Sequence, residues 1–83
     1  MNSIPIDEAR KLSPIECYSN LKKTTSKSLD DKIKKFINQG NRIFKITYAN
    51  PLMKYHQVIA YIHYINIYGN IENEQLLDDV QHC

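Results

Sequence analysis

From Tyr55 to Ile71 the chain carries no Lys, Arg, Asp or Glu, and this stretch constrains the fold more than any other. It is too short and, with Gln57, two His and two Asn, too polar to cross a bilayer. It must therefore be packed against protein. Asn50-Pro51 before it matches a helix cap followed by a favoured first helical residue, and Gly69 beyond it matches a left-handed helix stop. No turn residue interrupts Leu52 to Ile65, which would be long for one strand. These signals predict one helix over 51–68. The β-branched and aromatic content, with Val58, Ile59, Ile62, Ile65 and Ile67, supports the alternative, a hairpin pairing Arg42–Tyr48 with roughly Tyr55–Tyr64.

The remaining elements are read from local signals. Ser13-Pro14-Ile15-Glu16 has a cap, a first-turn proline and the glutamate of a capping box, so a helix begins there and runs to about Lys23. Ser28 caps a second helix, with Asp30 and Asp31 near the positive end of its dipole. Leu29, Ile33, Phe36 and Ile37 give it one apolar face, and Gly40 ends it. Arg42 to Tyr48 alternates Phe44, Ile46 and Tyr48 with Lys45 and Thr47, the pattern of a strand. Asn73 to Val80 reads as a short acidic helix with Leu76, Leu77 and Val80 inward. The fold expected is mostly α: a small helical bundle over residues 1–83 as a single domain, with one short strand or β-hairpin. The alternative is α+β, with helices packed on a hairpin.

At 83 residues the core is small, and chains of this size lean on disulfides, metals or a partner. Cys17 and Cys83 do not form a disulfide framework and read as reduced thiols; a redox or dimer-forming role for the terminal Cys83 is the alternative. The start, Met1-Asn2-Ser3-Ile4-Pro5-Ile6-Asp7-Glu8, lacks the basic and apolar run of a signal peptide, so the expected location is cytoplasmic.

No catalytic pattern emerges. Cys17 with His56 or His63 can be drawn as a nucleophile and base, but Cys17 falls near the apolar face of a capped helix, where a small buried hydrophobe is the ordinary reading. Neither glycine builds a phosphate or oxyanion loop. Cys17, His56, His63, His82 and Cys83 lack the paired spacing of a zinc site. The pairs Asp7-Glu8 and Asp30-Asp31 suit helix N-termini, and Asp78-Asp79 a solvated face. The expectation is a non-enzyme with no cofactor, no metal and no small-molecule substrate.

Two surfaces remain. In the helical reading, Lys54, Gln57, Tyr61, Tyr64 and Tyr68 follow a 3-4-3-4 spacing and line one face, while Tyr55, Ile59 and Ile62 line another fit for the core. Tyrosines of this kind suit an interface. The first functional expectation is thus a small non-enzymatic protein-binding module. Its partner is a host protein or a second copy in a homodimer. The second is a DNA- or RNA-binding regulator using Lys22, Lys23, Lys27, Lys32, Lys34 and Lys35, although the chain's two arginines leave few readers of base edges. Charge divides in the same way. Residues 1–54 hold eleven bases and five acids, a net +6, and residues 55–83 hold four acids and no Lys or Arg, a net −4. The division marks partners of opposite sign, or halves that face each other within the fold or a dimer. The abundance of Ile, Lys, Asn and Tyr follows an AT-rich coding bias, common among accessory proteins of phages and mobile elements; an inhibitor or adaptor of that origin is the biological form expected.

Overall fold

A computed structural model describes residues 2–21, 27–49 and 59–77. Three helices precede three strands: α1 (Ile6–Ala9), α2 (Pro14–Ser19), α3 (Lys27–Asn38), β1 (Arg42–Ala49), β2 (Ile59–Ile65) and β3 (Ile71–Leu77). The strands form one antiparallel sheet in the order β1-β2-β3. This overturns the expected helical bundle. Ile59–Ile65, assigned above to the long helix, is the central strand, and Ile71–Leu77, which covers most of the acidic segment, is an edge strand. The part of the predicted helix from 51 to 58, and Asp78 to Cys83, lie outside the described residues.

The correction has a packing cause. β1 pairs with β2 from Arg42 opposite Ile65 to Ala49 opposite Ile59. This register buries Ala60, Ile62 and Tyr64, every second residue, beside Ile43 and Ile46. A helix would have scattered the same side chains around its circumference. β-branched residues gain most when laid on a pleated, half-buried surface. Phe44 is an extra residue in β1, because Ile43 opposes Tyr64 and Lys45 opposes His63. This bulge lets Ile43 and Phe44 both be buried ahead of Ile46.

Gly69 is not a helix stop. It sits at φ +88° in the turn joining β2 to β3. Asn66 organises that turn: its side-chain oxygen accepts hydrogen bonds from the backbone N–H groups of Tyr68 and Asn70, at 2.9 and 3.0 Å. Its backbone N–H donates to Asn70 O at 2.8 Å, and Gly69 N–H donates to Asn66 O at 2.9 Å. An asparagine that mimics a backbone turn, followed by a left-handed glycine, closes a hairpin as readily as it ends a helix.

The first half follows most of the local signals, except that Ser28, expected as a cap, lies within α3, and α2 ends at Ser19 rather than near Lys23. Ser13 Oγ accepts from Glu16 N, and Glu16 Oε1 accepts from Ser13 N, completing the capping box at the start of α2. α3 buries Leu29, Ile33 and Ile37, with Phe36 partly buried beside them. Gly40, at φ +97°, then turns the chain into β1. A Cβ there would lie 2.8 Å from Ile67 Cγ2, so the close approach of the β2–β3 turn requires glycine as much as the backbone angle does.

α2 packs over β1, α3 over β3, and the two helices touch, so they cover one face of the sheet. The core lies between. Tyr18 is buried there, and its hydroxyl donates to Asp30, which also receives Lys34 Nζ at 3.1 Å. No helix among the described residues is long and apolar enough to cross a membrane.

Candidate functional site

Residues directly opposite in an antiparallel sheet share a face, and neighbours along a strand alternate. The expected tyrosine stripe therefore does not form one surface. Tyr61 and Tyr64 are three apart on β2 and point to opposite sides. Tyr64 is buried against α3: its ring meets Phe36 edge-on at 4.5 Å, and its hydroxyl donates to Glu72 Oε1 at 3.2 Å. Burial, and then the Glu72 hydrogen bond, raise its pKa above the ordinary tyrosine value. Tyr61 is 40% exposed on the other face, and Tyr68 is 81% exposed in the turn. Lys54 and Gln57 lie outside the described residues.

The face away from the helices carries two cross-strand rows. Lys45, His63 and Asn73 form one, and Thr47, Tyr61 and Gln75 the other. A shallow open depression of about 450 Å³ is lined by Tyr61, Ile62, His63, Asn73, Glu74 and Gln75. Ile59 and Leu77 flank the rows at one end and Ile71 at the other. Seven large hydrophobic residues are exposed among the described residues. Five of them, Tyr61, Ile67, Tyr68, Ile71 and Leu77, belong to the β2–β3 hairpin. Glu72 and Glu74 oppose Tyr64 and Ile62 in register and so alternate away from Tyr61 and His63, although Glu74 also borders the depression.

That placement also explains part of the charge division. Glu72 and Glu74 share a face with α3 and its lysines, and Lys32 Nζ donates to Leu77 O at 2.7 Å. The basic and acidic halves meet within the fold.

The lysine set is broken up. Lys22 and Lys23 lie outside the described residues. Lys27 pairs with Asp31 and Lys34 with Asp30, each at 3.1 Å, and Lys32 is held by Leu77 O. Lys35 is exposed in the last turn of α3, where the helix dipole favours a cation. Exposed i,i+4 pairs of this kind are weak, on the order of 0.3–0.5 kcal/mol, but they reduce the field offered to phosphate.

Cys17 is fully buried, and its thiol donates to Ala9 O at 3.5 Å. Burial pushes its pKa up, against the direction that activates a nucleophile. His56, His82 and Cys83, named above as conceivable ligands, lie outside the described residues.

The open face was missed because it has no period of its own in the sequence. Ile59 and Ile65 fall on the same side as Tyr61 and His63, so β2 reads as apolar on both faces. The usable signal was in β3, where Glu72 and Glu74 alternate with Asn73 and Gln75. No family model, curated protein or solved structure matches this chain.

Proposed function

We propose that this chain is a small, non-enzymatic protein-binding module whose contact surface is the open face of the β2–β3 hairpin together with its turn. The observation that carries the reading is the concentration of exposed large hydrophobics there, five of seven among the described residues. Tyr61 and Tyr68 are the anchors, and Ile71 and Leu77 supply apolar area around them. Interface centres are rich in tyrosine, and among the described residues the cations of this surface are Lys45 beside Tyr61, Arg42 opposite Ile65 at one end, and Arg10 against the turn at Gly69. An inhibitor or adaptor directed by a phage or mobile element at a host protein is the biological role that fits such a module.

Tagged protein passed through native host lysate, with and without nuclease, tests the reading. The expected result is a protein retained after nuclease treatment by the wild type and lost with Tyr61→Ala/Tyr68→Ala. Retention that disappears with nuclease and ignores the tyrosine changes favours nucleic acid and the lysines of α3. If the retained protein is the chain itself, light scattering will show a dimer that the same double variant dissolves.

A further inference from the structure

The two edges of the sheet are finished differently. The outer side of β1 is covered by the chain's own start: Ile4 N–H donates to Phe44 O at 2.8 Å, Ile46 N–H donates to Asn2 O at 2.9 Å, and Ser3 bridges to Lys45. β3 pairs with β2 on one side only, and among the described residues no strand lies on its other side. Six of its seven residues are exposed. Such an edge is a template for another strand unless something discourages pairing.

The discouragement is selective. Glu72 and Glu74 project on the helix side of β3, two residues apart. Glu72 is held in place, because its Oε1 accepts from both Tyr64 Oη at 3.2 Å and Asn66 Nδ2 at 3.1 Å. A second copy pairing antiparallel through the same edge must do so about a two-fold axis through one residue. Axes through residue 72, 73 or 74 set Glu72 against Glu72, Glu72 against Glu74, or Glu74 against Glu74. Like charges directly opposite destabilise a strand pair, and opposite charges stabilise it. In these three registers the edge repels its own copy, and it favours a strand with cations at two positions separated by one residue.

We propose that the outer edge of β3 takes an extended segment of a partner protein as a fourth strand, with Lys or Arg at positions i and i+2 opposite Glu72 and Glu74. This rests on the protein-binding reading and names the partner's chemistry. Backbone hydrogen bonds along β3 supply affinity, the two carboxylates supply selection, and the intervening side chain lies on the open face beside Asn73.

The test is titration of the isotope-labelled full chain with nine-residue threonine–valine peptides, read by backbone amide shifts and hydrogen exchange. One peptide carries lysines at i and i+2, a second carries glutamates there, and a third carries adjacent lysines, which face opposite sides. The first is expected to slow exchange of β3 amides, the second not to bind, and the third to bind more weakly. Glu74→Gln, an exposed change, is expected to weaken the first peptide about two- to five-fold, and Glu74→Lys more. Equal binding of all three, shifts that leave the β3 amides unprotected, or no protection at millimolar peptide overturns the proposal. Lysate capture separates the two readings. A partner lost with Tyr61→Ala/Tyr68→Ala but indifferent to Glu74→Lys leaves the docking surface standing and overturns the added strand.

Discussion

The two faces of this sheet are made from alternate residues of the same strands, yet they do different work. The side under α2 and α3 holds Ile43, Ile46, Ala60 and Ile62 with no measurable exposure. The other side leaves Lys45, Thr47, Tyr61, Asn73 and Gln75 exposed. In a domain this small, one sheet face consumes nearly all the helix available to cover it. The other face, covered only at the end where Ile65 is buried beside Arg42, is then free to carry residues chosen for contact with something else. Stability should therefore be concentrated on one side of each strand, and mutation should separate the faces.

The largest expected effect is on the covered side. Ile62→Ala removes a fully buried side chain from the centre of the sheet and should cost about 2–5 kcal/mol, enough to unfold much of a marginal domain. Chemical denaturation followed by circular dichroism measures it. Gly40→Ala adds both a positive-φ penalty and a 2.8 Å clash with Ile67, where the end of α3 meets the hairpin turn. A loss of about 2 kcal/mol is expected from the same measurement. Tyr18→Phe removes the hydroxyl that joins α2 to Asp30 of α3, and about 1.5 kcal/mol should go with it.

Alkaline pH tests the covered side without mutation. Burial raises the pKa of Cys17, Tyr18 and Tyr64 above their ordinary values of 9.0, 10.0 and 10.0. Each protonated form is favoured by folding. The stability it contributes is complete below the unfolded pKa and drains away as pH rises through the higher folded value. Melting temperature should therefore fall above about pH 9 and more steeply above about pH 10. Tyr64→Phe should flatten part of that fall. The smallest effect belongs to the open side: Tyr61→Ala, at a 40% exposed position of the central strand, should cost about 1 kcal/mol.

The sequence was informative where one local signal had one meaning. The Ser13–Glu16 capping box, the Leu29-Ile33-Ile37 face, the glycine at 40 and the alternation from Phe44 to Tyr48 all lead to the elements observed. It misled where a signal had two meanings. Gly69 ends helices and closes hairpins alike. Ile59, Ile62 and Ile65 recur at a helical spacing, while the burial that matters runs through Ala60, Ile62 and Tyr64 at a spacing of two. Glu72, Glu74, Gln75, Leu76 and Leu77 favour helix by propensity, but β3 is held by pairing with β2 along its whole length. The candidate site inherited the error. Tyr61 and Tyr68 remain exposed, as an interface needs, whereas Tyr64 belongs to the core and reaches the edge only through Glu72.

Tyr61 and Ile62 are neighbours on opposite faces, so the most direct measurement compares Tyr61→Ala with Ile62→Ala in both denaturation and lysate capture. Tyr61→Ala is expected to cost about 1 kcal/mol, remain folded and lose the partner, while Ile62→Ala loses stability by several kcal/mol. Equal destabilisation by the two changes, or undiminished capture by a folded Tyr61→Ala variant, would contradict the division of labour between the faces.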